Sequence, residues 1–355
     1  MPSNATRRTL LAGAPAVAAL AALAACSEEP SGPALAADAD LPTAVPEGTK
    51  LVVGDPSNEI SYKLSGLDQK LTFDIEWANI SGGPKSAEAF RAHSLDISAV
   101  AEIPPIHTNW TGLPTKIVAA SGRVDPLAHP IYDIGIAPGA GITTLEELRG
   151  KKIAYSPGQA QGALVLRVLD KVGLSQDDVE LVELPSTADT YSNALGGNEV
   201  DAAPIGGTQV KSYINKYGPD GATTIPHGLR DDPSVLYAPT EVLEDADKAA
   251  AIAEYVRLWG AARLWVRANK EEWINAWYVE HEGLPYEDGE YLFERDGEPD
   301  FPENWDETIE RQQETIEILA EATDNPVLDA EDIYDRRFEP LVAEGIEEYG
   351  EAGAS

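Results

Sequence analysis

The chain has 355 residues, 61 of them acidic and 26 basic, for a net charge of −35. Such a surplus of carboxylates excludes nucleic acid as a partner, since an anionic surface repels the phosphate backbone. Cys26 stands alone in the sequence, so no disulfide framework holds the fold, and the hydrophobic core has to do so. The charge itself fits either a solvated acidic surface, suited to an exported protein in salty surroundings, or attraction of a cationic ligand.

Residues 1–26 read as an export signal. Arg7-Arg8 supplies a positive start, Leu10 to Ala25 is almost wholly Ala, Leu and Val, and small residues precede Cys26. The run is too short and too rich in Ala for a membrane span. Leu23-Ala24-Ala25-Cys26 resembles the bacterial lipobox, which implies acylation of the Cys26 thiol. Arg7-Arg8 suits a twin-arginine signal or a plain secretory one equally. Residues 27–49, rich in Ala, Pro, Ser, Gly and acids, are expected to be a flexible tether.

From Lys50 the chain alternates strand, turn and helix, the pattern of parallel sheets covered by helices. Leu51-Val52-Val53 predicts a first strand and Leu71 to Trp77 a second. Pro84 in a first turn and the apolar Ala87, Ala89 and Phe90 predict a helix over Ser86 to His93. Strands follow at Asp96 to Val100 and Lys116 to Ala120. A second lobe begins near Tyr132, with a crossing strand at Ile134 to Ala137 and a capped turn of helix at Thr143 to Leu148. It continues with strands at Ile153 to Tyr155, Val179 to Leu184 and Val200 to Ala203, and helices after Gly162 and around Tyr191 to Leu195. The chain then returns: Ile252, Val256, Trp259 and Val266 mark one face of a long helix over Asp245 to Asn269, and Ile309, Ile316 and Leu319 mark a late one. The expected division is lobe 1 over 50–133, lobe 2 over 134–235, and a return to lobe 1 over 236–355.

Several segments together resemble one family. They are Ser81-Gly82-Gly83-Pro84 with Glu88-Ala89-Phe90, Asp96-Ile97 with Ala101 to Ile106, Leu145 to Ala154, Leu184-Pro185, Gly197 to Ala202 and Gln312-Gln313. The chain is similar to the aliphatic-sulfonate, nitrate and taurine-binding proteins, the solute-binding components of ATP-driven importers. The resemblance implies an α/β, two-lobed periplasmic-binding-protein-like fold of type II. Each lobe would then be a mixed, mostly parallel sheet flanked by helices, with ligand-contacting loops at Asn58, Glu102, Pro104, Asp201 and Gly206. The chain departs from the family after the Asp-Ala strand end, where it reads Pro204-Ile205-Gly206-Gly207-Thr208, and in lacking a long Gln-containing loop after the first strand. Both departures bear on ligand identity.

Physical chemistry points to the same places. The turns Gly82-Gly83-Pro84 and Ser156-Pro157-Gly158-Gln159 each precede a helix, and helix N-termini present unpaired N–H groups that attract anions. Across a cleft the two turns would converge on one small ligand, with Ser81, Ser86, Ser156 and Gln159 adding side-chain hydrogen bonds. Trp110 is expected either to wall that cleft or to pack in the core. Arg263, beside its helix's apolar stripe, either meets an anionic ligand or reaches a carboxylate.

Enzyme signatures are weak. The five histidines lie far apart without metal-ligand spacing, and Ala154 occupies the first glycine position of a nucleophile elbow at Ser156. The expectation is a monomeric, lipid-anchored binding protein without metal or cofactor that closes on a small organic anion and hands it to a membrane permease. Hinges are expected near residues 132–135 and 233–237. The alternatives are a binding protein for a cationic or heterocyclic nutrient such as a thiamine precursor, or an extracellular enzyme or sensor on the same fold.

Overall fold

A computed structural model describes residues 32–186, 189–231 and 233–350. Cys26 and the signal lie outside them. The first lobe opens with β1 (Lys50–Gly54), α1 (Pro56–Ser65), β2 (Asp74–Trp77), α2 (Gly83–Arg91), β3 (Ile97–Ala101), α3 (Ile103–Trp110) and β4 (Thr115–Arg123). The second holds β5 (Tyr132–Ile136), β6 (Lys152–Tyr155), α4 (Ala160–Lys171), β7 (Glu180–Glu183), α5 (Thr190–Gly196), β8 (Ala202–Gly206), α6 (Thr208–Tyr217) and β9 (Thr223–Ile225). The chain returns through β10 (Ser234–Pro239), α7 (Thr240–Leu243), α8 (Ala246–Ala268), α9 (Lys270–Trp273) and a π-helical stretch, Ile274–His281. It ends with α10 (Tyr286–Asp296), β11 (Pro299–Asp300), α11 (Asp306–Thr323) and α12 (Leu341–Tyr349).

The two sheets run β11-β4-β10-β3-β1-β2 and β7-β6-β8-β5-β9. In each, most strands point one way. β10 and β11 in the first sheet and β5 in the second run against their neighbours. The α/β, two-lobed architecture expected from the sequence is therefore present. The changeovers between sheets fall at 124–131 and 226–233, so the stretches expected to flex are mostly paired residues of β5 and β10. Their Ile/Val/Tyr content already favoured strand over hinge.

The expected flexible tether is corrected from residue 32 onward, where the segment is laid down on the first lobe. Gly32 N–H donates to Asp245 (2.9 Å), Ala246 N–H to the Pro33 carbonyl (2.9 Å) and Leu35 N–H to the Glu244 carbonyl (2.7 Å). Arg337 reaches the Ala39 carbonyl (3.1 Å), and Leu41 and Val45 pack on the core. A segment without apolar periodicity can still be held by its backbone groups, which composition does not report.

The long helix is also less one-sided than its apolar stripe suggested. α8 is buried on nearly every face between α1 and α12. Gly345 makes that possible, because a β-carbon there would lie 1.7 Å from the Arg257 carbonyl oxygen. Among the described residues no helix is long and apolar enough to cross a membrane.

Candidate functional site

The first strand's C-terminal end builds one wall of a cavity at the lobe junction. Asp55 caps α1, accepting from the Ser57 hydroxyl (2.7 Å) and Asn58 N–H (3.1 Å); burial raises the pKa of its carboxyl against those bonds. Behind it, Asn58 Nδ2 donates to the Tyr255 hydroxyl (3.0 Å) and the Tyr62 hydroxyl to the Tyr255 carbonyl (2.8 Å). Burial pushes both phenols well above their ordinary range.

Ser57, Asn58 and Ser61 face Arg263 and Arg267 of α8 across a cavity of about 320 Å³. Trp273, Trp277, Tyr278 and Phe293 complete its apolar side, and Arg123 and Ile131 place it at the changeover between lobes. Two of its three arginines are engaged. Arg123 pairs with Asp296 (2.9 Å), and Arg267 holds Glu298 (3.2 Å) and the Phe293 carbonyl (2.7 Å). Arg263 stacks over Trp259 at 5.0 Å, and its Nε is buried without a hydrogen-bond partner among the described residues. Burial pulls its guanidinium below the ordinary pKa while Asp55 and Asp296 oppose that pull.

A second cavity of about 320 Å³ lies across Gly122, where the Ser121 hydroxyl and Arg311 Nε are also buried without partners among the described residues. Between the lobes proper the space narrows to about 20 Å³, lined by Glu102, Ile103, Ala160 and Arg167. Glu102 stands 3.9 Å from both Arg167 of lobe 2 and Arg311 of α11, and its carbonyl accepts from Gln312 (3.0 Å). Behind them Asp231 ties the two changeover segments together. Its carboxylate accepts from the Ile131 and Tyr132 N–H groups (2.9 and 2.8 Å) and from buried His227 (3.1 Å). Leu229 N–H donates to His227 Nδ1 (3.1 Å), which leaves Nε2 to carry the proton toward Asp231.

The sequence-selected residues divide among these places. Asn58 lines the Arg263 cavity and Glu102 the narrow gap. The two glycine turns both meet α3. A β-carbon on Gly83 would lie 2.5 Å from Pro104, and one on Gly158 would lie 2.9 Å from His107 Nδ1. Gly158 also has φ +74°, a conformation that penalises any side chain. Ser81 and Gly82 are exposed and Ser156 is buried, while Gln159 opens α4. Ser86 is corrected from a ligand donor, because it is fully buried between Ser98 and the Gly82 carbonyl.

Of the two readings left open for Trp110, the structure matches packing. Trp110 ends α3, about 10 Å along the helix from Ile103, and its indole donates to the Pro326 carbonyl (2.8 Å) while its ring packs on the core. One further expectation is corrected: Asp201 precedes β8, where its carboxylate accepts from Lys152 N–H (2.8 Å), about 13 Å of strand away from Ser156. Asp96 does the same before β3, accepting from Val52 N–H (2.7 Å), so the Asp-Ile and Asp-Ala motifs pin neighbouring parallel strands. Gly206 ends β8 against Tyr132. The aromatic wall went unread, although Trp273, Trp277 and His281 repeat at i, i+4, i+8.

Comparison with known proteins agrees with this architecture. The chain has the periplasmic-binding-protein fold. The periplasmic aliphatic sulphonate binding protein SsuA from Escherichia coli superposes with a TM-score of 0.68 at 23% identity, over 83% of this chain and 99% of that one. The alkanesulfonate-binding protein SsuA from Xanthomonas axonopodis, bound to MOPS, gives 0.66 at 21% identity, over 83% and 99%. Residues 106–229 match the family described as NMT1/THI5 like. An Escherichia coli protein named for binding aliphatic sulfonates is 31% identical over 131 residues, which are 37% of this chain and 39% of that one. A Bacillus subtilis protein of the same name is 25% identical over 80% of this chain and 82% of that one. The family resemblance carried by the sequence motifs is thus borne out by relatives named as binding proteins. A desulfurization enzyme shares the fold more distantly, at 14% identity and a TM-score of 0.53, over 84% of this chain and 99% of that one.

Proposed function

We propose that this protein is the solute-binding component of an ABC importer, capturing a small organic anion of the sulfonate type at the junction of its lobes and delivering it to a membrane permease. The observation that carries the reading is Arg263. In a chain with 61 acidic and 26 basic residues, Arg263 lines a cavity with its Nε buried and without a hydrogen-bond partner among the described residues, Asp55 and Asp296 acting on it only through space. An anionic head would complete it, while the Ser57 and Ser61 hydroxyls are already given to Asp55 (2.7 Å) and the Asn58 carbonyl (3.1 Å).

Closure would turn about the changeovers between the sheets, clamped by Asp231, and the Gly158 turn, which already meets α3 at His107, would hold the lobes together with Gly83 and Pro104. Lobes bounded near 133 and 235 and a monomeric state belong to the same reading, as do export and a lipid on Cys26, which the signal supports, export also by the names of the relatives. Thermal-shift titration with short alkane- and arenesulfonates, then with cationic heterocycles, tests it. Stabilisation by anions that Arg263→Gln removes is expected, since a ligand that binds the folded state stabilises it by mass action. Stabilisation by cations alone refutes it.

A further inference from the structure

Resting on the reading that the Arg263 cavity holds an organic anion, we infer that this seat selects an aromatic one: a flat ring system carrying a single sulfonate-like head. Two of the cavity's lining residues, Trp273 and Trp277, belong to a column of rings. Trp273 and Trp277 stack with centroids 5.7 Å apart and 15° between planes, and Trp277 and His281 stack at 4.5 Å and 16°. The π-helical winding of Ile274–His281 lines these residues up. Because both faces of Trp277 are covered, the part that lines the cavity is its edge. Phe293 has a guanidinium over its ring as well, with Arg267 3.8 Å from the centroid.

Ring edges carry the positive side of the aromatic quadrupole and attract another ring's face in a T-shaped arrangement. A π-face is what an arene offers and what a saturated chain of the same size lacks. The phenol and the other two guanidinium groups of the cavity are already engaged. The Tyr278 hydroxyl donates to Asp296 (2.9 Å), Arg123 pairs with the same carboxylate (2.9 Å), and Arg267 holds Glu298 (3.2 Å). That leaves Arg263 as the cation to take the head, so one anionic group is recognised. About 320 Å³ is at the small end of ligand pockets and suits one or two rings.

The test uses the full chain and isothermal titration with benzenesulfonate and cyclohexanesulfonate, which match in head group and nearly in size. Benzenesulfonate is expected to bind at least tenfold more tightly. Trp277→Leu is expected to narrow that ratio to under threefold, and Arg263→Gln to weaken both ligands. Equal affinities in the unmodified protein, or a ratio that Trp277→Leu leaves intact, overturn the aromatic inference while leaving the anion reading in place. If neither sulfonate binds the folded protein, the anion reading fails and this inference with it. The ligand pair on the unmodified chain decides the matter even where the tryptophan variant does not fold.

Discussion

Removing the Asp231 carboxylate should loosen the junction between the lobes more than any single surface substitution. In the structure that carboxylate accepts from Ile131 N–H (2.9 Å), Tyr132 N–H (2.8 Å) and His227 Nε2 (3.1 Å), and its side chain is only 4% exposed. A hydrogen bond to a charged group contributes about 1.5–3 kcal/mol, and the two N–H donors are only partly buried, so water recovers some of the loss. Asp231→Ala should therefore destabilise the protein by about 3 kcal/mol. Asp231→Asn keeps one acceptor but turns an NH2 toward a donor, and about 2 kcal/mol is expected. Urea denaturation followed by tryptophan fluorescence and by circular dichroism measures both, and amide exchange at Ile131 and Tyr132 should quicken before global unfolding. A loss below 1 kcal/mol for Asp231→Ala, with those two amides still protected, would refute the clamp.

Three other outcomes follow from the same contacts. Gly158→Val places a branched side chain on His107 and forces a φ of +74°, so ligand affinity should fall tenfold or more, about 1.4 kcal/mol, in a protein that still folds; titration calorimetry reads it. Burial lowers the folded pKa of His107 below the unfolded 6.5, so the unfolded state takes up the proton first and stability should drop as pH falls through about 6.5. Melting curves from pH 8 to 5 should show that slope reduced in His107→Gln. Cys26→Ser should abolish fatty-acid labelling, and undiminished label would end the lipoprotein reading.

The fold was legible because its signals are local and periodic. Val52 and Val53 in β1, Pro84 opening α2 and Thr144 capping the turn before β6 each report their own element. The site was legible only in part, because its members are brought together by tertiary contact. Asn58 was found at a strand end, where open sheets bind ligands. The Asp201 motif was read as a ligand loop because a carboxylate beside a strand looks the same whether it faces a ligand or pins the next strand's N–H. The column Trp273, Trp277 and His281 follows a spacing that in sequence means an ordinary helix face, and which of such rings line a cavity is set by the elements packed around them. Arg263 was noticed, but which of its two readings holds depends on whether a carboxylate reaches it. That is a question of distance between elements far apart in sequence.

The chain's overall charge supplies a test that needs no substitution. A net charge of −35 repels an approaching anion and attracts a cation. Salt screens that field, with a Debye length of about 30 Å at 0.01 M and about 10 Å at 0.1 M. An anion bound through Arg263 has to cross the repulsive field first, so its association rate should rise as salt is added. The contact with Arg263 is short compared with the Debye length and should change less, leaving the dissociation rate nearly constant. Stopped-flow tryptophan fluorescence at 0.01, 0.05 and 0.15 M salt measures both rates. A cationic nutrient would show the opposite trend, its association slowing with salt. An association rate for benzenesulfonate that falls over this range would mean that the ligand is drawn in by a local positive field strong enough to dominate the whole surface, and the assignment of the single guanidinium of Arg263 as the source of attraction would have to be abandoned.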